Sequence, residues 1–159
     1  MAYDAFLKLG DIKGESTDVN HKEWIKLDSF SWGVTNSGGT VGGGGSTGKA
    51  SFQDVHFTSS TQKSSPLVAK ACATGEHIPK CELSFIKGES QQGFEFLKFE
   101  FQDVLVSSYQ IGGSSGGEDR PTDAFSLSFV KIELDYVPQN ADGSAGAPVS
   151  FVFDVRQSA

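Results

Sequence analysis

The stretch EWIKLDSFSWGVT, residues 23–35, changes the face on which its apolar side chains lie. Ile25 and Leu27 fall on odd positions, whereas Phe30 and the apolar residues after it fall on even positions. Because successive side chains of a strand point to opposite faces, this change requires a bend or bulge, which we expect near Asp28 and the serine that follows it. Strands that turn corners in a closed barrel behave in this way. The stretch therefore predicts a curved, closed β architecture.

Strand-like segments recur along the whole chain and predict a mainly β fold. These segments are residues 3–9, 23–35, 49–58, 80–87, 94–102, 104–111, 124–137 and 149–157. In the run FSLSF, residues 125–129, serine alternates with phenylalanine or leucine. One face of that strand is expected to be buried and the other wet, facing either bulk solvent or the interior of a ring.

One helix is predicted between Ser65 and Gly75. Ser65 is a favourable N-cap, Pro66 suits the first helical position, and Gly75 suits the position after the last helical turn. The apolar residues between them share one face, which we expect to lie against the barrel as a lid or side support. That face consists of Leu67, Val68, Ala71 and Cys72.

Length and charge restrict the class of protein. The chain has 159 residues, and we expect a single domain over residues 1–159 with a sizeable core. Its formal net charge of −7 disfavours nucleic acid and anionic membrane surfaces as partners. Asp4 precedes any apolar run, and no apolar run of about twenty residues occurs. We therefore expect folding in the cytoplasm, without a signal peptide or a membrane-spanning helix.

Residues 38–48, GGTVGGGGSTG, contain seven glycines in eleven residues. Fixing each backbone residue costs about 1–2 kcal/mol, and glycine has no side chain to bury in compensation. The loop therefore either stays mobile or is ordered by a partner surface. Phosphate binding is disfavoured, because the segment after the loop alternates like a strand and supplies no helix N-terminus. The candidate residues for contact with a neighbouring subunit or ring are Gly42, Gly43, Gly44, Gly45 and Lys49.

The residues that could carry catalysis or bind a metal are scattered in the sequence. His21, His56 and His77 lack the spacing of a zinc site and are expected to be individually hydrogen-bonded or exposed. Cys72 and Cys81 lie outside a C-x-x-C spacing, which favours buried free thiols in a reducing compartment. Neither G-x-S-x-G match fits a nucleophile elbow, because a strand-like segment and not a helix follows the match at 44–48, and no histidine follows the match at 112–116. We expect no catalytic site, no metal and no cofactor.

Several motifs occur in order along nearly the whole chain. They are FLKLGDIKGES at 6–16, SWG at 31–33, the polyglycine tract that ends in GK at 48–49, DVLVSS at 103–108, GGS at 112–114, EDR at 118–120 and FVKIE at 129–133. The agreement of these motifs in order, spacing and total length is specific. Together they resemble the haemolysin-coregulated protein (Hcp) family of bacterial type VI secretion.

The resemblance implies a small two-sheet β-barrel with one flanking α-helix, assembling into a homo-hexameric ring. It further implies that rings stack into the ejected inner tube, meet tube-tip spike and sheath proteins, and carry small effector proteins in the lumen. Ser31 is the candidate lumen and cargo contact. The protein would be secreted without a signal peptide to the extracellular space or a target cell. A carbohydrate-binding β-sandwich is the alternative, since acidic, glycine-rich and aromatic sequences also suit that class.

Overall fold

The computed structural model describes residues 3–37, 49–88 and 93–158, which form eleven strands and one α-helix. In chain order the elements are β1 Tyr3–Leu9, β2 Ile25–Leu27, β3 Ser29–Ser31, β4 Val34–Asn36, β5 Ala50–Phe52, β6 Val55–Ser60, α1 Ser65–Thr74, β7 His77–Lys87, β8 Phe94–Gly112, β9 Thr122–Ser128, β10 Lys131–Tyr136 and β11 Val149–Asp154, followed by a 3-10 turn at Val155–Ser158. The predicted mainly β fold with one helix is confirmed.

Nine of these strands form one antiparallel sheet in the order β2-β1-β7-β8-β9-β6-β3, with β10 and β11 added beside β8. Strand β8 organises this sheet because it is long enough to pair with three neighbouring strands. Its first half pairs with β7 and β10, and its second half pairs with β9. Strands β4 and β5 form a separate two-stranded sheet.

The two ends of the sheet meet at Asp28. Strands β2 and β3 are separated only by this residue, yet β2 pairs with β1 whereas β3 pairs with β6. The backbone N–H of Asp28 donates a hydrogen bond to the carbonyl oxygen of Thr58 at 2.8 Å, which fixes the turn between the two pairings. The bend expected near Asp28 is confirmed. It divides the segment predicted at 23–35 into three short strands and joins the ends of the sheet through the chain itself.

A second corner lies inside β8 at Asp103. The segments predicted separately at 94–102 and 104–111 are one strand, so that expected break is wrong. Asp103 has φ of 54°, a left-handed conformation that is uncommon for a residue other than glycine. Its FQDV tetrad also occurs at residues 52–55, which span the junction of β5 and β6. The first copy therefore joins the two-stranded sheet to the nine-stranded sheet, and the second contains the left-handed Asp103 inside β8.

The other strand boundaries differ in smaller ways. The segment predicted at 124–137 is interrupted between β9 and β10, where the N–H of Val130 instead bonds the carbonyl of Gln102. The last segment, predicted to 157, leaves the sheet after β11 and ends in the 3-10 turn. Strand β7 begins three residues earlier than the predicted start at residue 80.

The core is built largely from phenylalanine. Phe57, Phe85, Phe101 and Phe125 are almost fully buried, and the ring of Phe30 packs on that of Phe85 with centroids 4.5 Å apart. Each such side chain contributes about 1.5–3 kcal/mol of burial free energy before conformational entropy is subtracted. The two cysteines also belong to this region.

Cys81 is buried and Cys72 is half-buried, and both are free thiols, as expected. Burial raises the pKa of the Cys81 thiol far above its ordinary value. This thiol is therefore an apolar core group.

Helix α1 begins one residue earlier than predicted. Ser64, not Ser65, is the N-cap, and Gly75 takes the expected left-handed conformation after the last turn, with φ of 67°. The expected apolar stripe is narrower, since Val68 is buried whereas Leu67 is exposed. Ser65 has another use, because its hydroxyl group donates a hydrogen bond to Asp123 of β9.

Asp123 ties the start of α1 to the sheet. Only 2% of this residue is exposed, and its carboxylate accepts hydrogen bonds from the hydroxyl groups of Ser65, Thr61 at 2.9 Å and Tyr109 at 3.0 Å. Burial, followed by the hydrogen bond to Asp123, raises the pKa of Tyr109. One carboxylate thus accepts hydrogen bonds from a buried hydroxyl group in α1 and from two partly buried ones, in β8 and in the segment before the helix.

We expect Asp123→Ala to lower the free energy of unfolding by about 3 kcal/mol, because it leaves buried hydroxyl groups without an acceptor. Urea denaturation measures this loss. Asp119→Ala, in an exposed loop, is the matched control and should change stability little. Equal effects of the two substitutions would show that the buried carboxylate has no special role.

Candidate functional site

Four neighbouring strands present an uncharged polar face around Ser31. The strand register places Ser31 opposite His56, His56 opposite Ser126, and Ser126 opposite Ser108. A parallel row two residues away crosses the same strands. We call the residues of both rows the hydroxyl face: Ser29, Ser31, His56, Thr58, Ser108, Gln110, Ala124 and Ser126.

Alternation along the strands explains why these residues share a face. Phe30, Phe57 and Phe125 occupy the positions between them and point toward the core, where the last two are almost fully buried. The polar residues are left on the opposite side. The alternation of apolar and polar residues predicted for residues 125–129 thus continues across β3, β6, β8 and β9.

All residues of the hydroxyl face except the buried Ser126 line an open groove with a volume of about 460 Å³. None of its eight residues is Asp, Glu, Lys or Arg, although the chain carries a formal charge of −7. Hydroxyl pairs cross the strands within it, with 2.5 Å between the oxygens of Ser29 and Thr58 and 2.5 Å between those of Ser108 and Ser126. Such a surface can bind a polypeptide through neutral hydrogen bonds, without strong attraction or repulsion of charge.

The serine cluster in this region lacks the chemistry of a nucleophile. The hydroxyl of Ser126 is bonded to those of Ser107 and Ser108, and Ser107 donates to a carboxylate oxygen of Asp54 at 2.7 Å. An activated serine needs an adjacent general base. Here the partners of Ser126 are hydroxyl groups, which favours binding over catalysis.

Strands β4 and β5 form the base of the glycine-rich hairpin. Thr35 pairs with Ser51, and the N–H of Ser37 bonds the carbonyl of Lys49 at 3.3 Å. Lys49 is exposed at this base. The candidate residues Gly42, Gly43, Gly44 and Gly45 lie outside the described residues. As expected, a strand and not a helix follows the loop.

The hairpin base is attached to the rest of the protein through aromatic contacts. The ring of Phe52 stacks on Trp32 with centroids 6.3 Å apart, and it lies 4.9 Å from the ring of Phe153 in β11. These contacts connect the base of the glycine-rich loop to β11.

Strand β11 carries a group of exposed apolar side chains. Among the described strands it pairs only with β10, and Val149 and Val152 are 68% and 52% exposed, beside the partly exposed Phe151. At its end, the hydrogen bond from Arg156 lowers the pKa of Asp154 to about 2. An apolar edge strand of this kind is a natural surface for contact with another protein.

The three histidines have different environments. His21 is buried and hydrogen-bonded to Asp18 and Ser84, whereas His56 and His77 are exposed. Within the described ranges no three His, Cys, Asp or Glu side chains are grouped as metal ligands would be. His56 joins Ser31 on the hydroxyl face, and His77 lies 3.5 Å from Asp103 at the corner of β8.

A family model described as type VI secretion system effector, Hcp, matches residues 6–136. The chain belongs to the Hcp family. It is 44% identical over 162 residues to protein hcp1 of Pseudomonas aeruginosa, covering 99% of this chain and 98% of that protein. A solved structure of a type six secretion system protein matches with a TM-score of 0.90 and 32% identity, over 99% of both chains. Hcp1 from Salmonella typhimurium matches with a TM-score of 0.80 and 31% identity, over 99% of this chain and 98% of that one.

These similarities confirm the family expected from the sequence motifs and its ring-forming β fold. The chain is an Hcp-type protein of type VI secretion, a family of structural, secreted proteins. These similarities give no support to the alternative, a carbohydrate-binding β-sandwich. No helix within residues 3–37, 49–88 and 93–158 is long and apolar enough to cross a membrane.

The sequence indicated Ser31 as a candidate contact but did not predict its neighbours on the hydroxyl face. Strand alternation placed Ser126 at a polar position, and it connected neither Ser108 nor His56 with that residue. Which polar positions become neighbours depends on the register between strands that are distant in sequence. The signal that was available is the shared alternation of polar and aromatic residues in 29–31, 56–58 and 124–126.

Proposed function

We propose that this Hcp protein is a tube subunit whose copies close into homo-hexameric rings. The rings stack into an inner tube that is ejected by the secretion machine and that carries small effector proteins in its lumen. Membership of the Hcp family supports this role. The observation that carries the cargo assignment is the hydroxyl face, a broad, uncharged and concave surface on an otherwise acidic protein.

The hydroxyl face forms the lumen wall in this proposal, with Ser31 as a cargo contact. Six copies repeat the same rows of hydroxyl, imidazole and amide groups around the ring. A guest protein then meets many weak neutral hydrogen bonds, each contributing about 0.5–1.5 kcal/mol, rather than a few strong ion pairs. Retention can be specific while release requires no chemical step.

Strand β11 supplies part of the contact between subunits. Val149, Phe151 and Val152 leave an apolar surface on a strand with a free edge. Contact with a second copy removes that surface from water and satisfies the exposed edge. In a cyclic oligomer each subunit makes the same contacts, so a closed ring leaves no copy of this surface uncovered.

The remaining assignments follow from the tube role. Residues 1–159 form one domain that folds in the cytoplasm and is secreted to the extracellular space or a target cell. Its partners are itself, the tube-tip spike and sheath proteins, and the guest effectors. The subunit acts by assembly and binding, and its role needs no cofactor or catalytic group.

We expect size-exclusion chromatography with light scattering to report a mass of about six subunits, as closure into a cyclic oligomer requires. Val152→Lys places a charge on the exposed apolar edge and should shift the protein toward monomer. Val19→Lys is the matched control, because Val19 is 67% exposed, against 52% for Val152, but lies in the loop between β1 and β2. A parent protein that is monomeric at every concentration would refute the ring.

Ser31→Gln adds bulk and an amide to the hydroxyl face. We expect rings to remain intact and retention of a cognate effector to fall by about tenfold or more, as lost complementarity of 1–2 kcal/mol implies. Ser115→Gln, in an exposed loop, is the control and should retain the effector normally. Co-purification of tagged effector with the ring measures the effect. Normal retention of every effector by Ser31→Gln would remove Ser31 from the binding surface.

The glycine-rich loop is proposed to become ordered against an adjacent subunit or ring, with Lys49 meeting a carboxylate of that acidic neighbour. Ordering costs about 1–2 kcal/mol per residue, so partner contacts must offset it. Alanine at Gly42, Gly43, Gly44 and Gly45 penalises conformations with positive φ. We expect folded rings that stack poorly, seen as short or absent tubes by electron microscopy.

The control for the loop variant is Gly112→Ala with Gly117→Ala. Both glycines lie in or beside a different loop, neither has positive φ, and an added Cβ meets no closer contact than 3.9 Å. This pair should stack like the parent. If the four-alanine variant also stacks like the parent, the loop is a passive connector.

A further inference from the structure

A carboxylate lies at the end of the hydroxyl face. Asp54 immediately precedes β6, and strand alternation places it on the same side as His56 and Thr58. Its Oδ2 oxygen accepts a hydrogen bond from the hydroxyl group of Ser107 at 2.7 Å. The hydroxyl oxygen of Ser107 is in turn 2.7 Å from that of Ser126. Asp54 is therefore connected to the hydroxyl face and adds a negative charge beside it.

A β-bulge in β8 brings Ser107 to this carboxylate. The register of β8 with β9 shifts between Val106 and Ser108, which leaves Ser107 as the extra residue. In a regular strand two consecutive side chains point to opposite faces, but a bulge re-aims one of them. The hydroxyl oxygens of Ser107 and Ser108 both lie close to that of Ser126, at 2.7 Å and 2.5 Å. The bulge thus lets Ser107 orient the carboxylate of Asp54.

An exposed leucine lies on the same side of β8. Leu105 is 37% exposed, whereas Val104 and Val106 on either side of it are buried. Its side chain therefore points outward, two residues before Ser107. A leucine in this position leaves an apolar surface beside the hydrogen-bonded serine.

The strand register aligns this leucine with the carboxylate. Leu105 is opposite Ser128 on one side of β9. On the other side of β9, Val55 is opposite Leu127, so the preceding residue, Asp54, is beside Ser128. Asp54, Ser128 and Leu105 thus form one row across three strands, next to the row that contains Ser126.

Charges around this row leave room for a cation. The ion pairs formed within residues 3–37, 49–88 and 93–158 do not include Asp54. Beyond Leu105, the next residue across the sheet is His77 in β7, which lies 3.5 Å from Asp103. A second carboxylate is therefore present at this end of the hydroxyl face.

We propose that Asp54, Ser107 and Leu105 bind an arginine side chain of a polypeptide that occupies the hydroxyl face. We call these three residues the arginine subsite. A carboxylate binds a guanidinium group through two parallel charge-assisted hydrogen bonds. The hydrogen bond from Ser107 leaves acceptor sites on both oxygens of Asp54, since a carboxylate offers about four. Leu105 covers the aliphatic stem, which long basic side chains bury along apolar surfaces.

The arginine subsite adds selectivity to the hydroxyl face. The hydroxyl face binds through neutral hydrogen bonds, which fix neither the identity nor the position of a guest. A charge-assisted contact at one end selects guests that present arginine there and sets their position along the strands. This role rests on the proposed function for the identity of the guest, whereas the subsite itself belongs to a single subunit.

Two peptides test the arginine subsite. The probe is an acetylated five-residue peptide with a central arginine flanked by leucine and serine, and its partner carries citrulline in place of arginine. Citrulline has nearly the same length and shape but no charge. Leucine-methyl NMR detects binding in a subunit or a ring, and the methyl groups of Leu105 report from the subsite. At low salt we expect the arginine peptide to shift these signals and to bind about tenfold more tightly than the citrulline peptide.

Asp54→Asn keeps the shape of the side chain and removes its charge, so the preference for arginine should disappear. Asp119→Asn is the matched control, because it removes the same charge from an exposed loop and should leave the preference near tenfold. Ser107→Ala removes the donor that orients the carboxylate and should lower the preference to about threefold. In the parent, about 0.5 M salt should also weaken the preference, because it screens exposed charges.

An equal loss of preference in Asp54→Asn and Asp119→Asn would show only general attraction to an acidic protein and would overturn the subsite. No shift of the Leu105 signals with the arginine peptide would do the same. If Asp54→Asn does not fold, Ser107→Ala and the location of the shifts in the parent decide. These outcomes are separate from the ring, because a monomer would still show the arginine preference and a ring without the subsite would not.

Discussion

The turn at Asp28 is the constraint on which the other features depend. The main path of the sheet ends at β2 and at β3, and both strands belong to one short stretch of chain that pairs with β1 before Asp28 and with β6 after it. Because the turn fixes β3 beside β6, it also places Ser31 opposite His56. The hydroxyl face therefore follows from this turn.

Other parts of the chain branch from this arrangement. Strand β11 is attached through β10, which pairs with β8, and the β4–β5 pair continues from β3. Phe52 and Phe153 pack both elements against the core, while Val149 and Val152 of β11 remain exposed. Exposed apolar side chains on such an edge strand suit contact with another protein.

Sequence patterns predicted those features of the fold that depend on residues close together in the chain. The change of parity located the bend at Asp28, and the Pro66 and Gly75 signals located the helix to within one residue. They failed at Asp103, because a bent strand and two separate strands give the same alternation. Register between distant strands has no local signal either. For that reason Ser31 was predicted, but its row with His56, Ser126 and Ser108 was not.

The turn around His21 shows a further limit of local patterns. His21 and Asp18 are close in sequence and form part of one turn, whereas Ser84 and Glu95 reach them only through the pairing of β1 with β7 and β7 with β8. Their proximity, like that of the residues on the hydroxyl face, follows from register between strands that are distant in sequence.

The most direct test of the tube assignment is the structure of the assembled protein by electron cryo-microscopy. The account predicts closed rings of six subunits with Ser31, His56, Ser126 and Ser108 facing the central channel. Rings with these residues on the outer surface, or an assembly in which β11 faces the channel in their place, would contradict it.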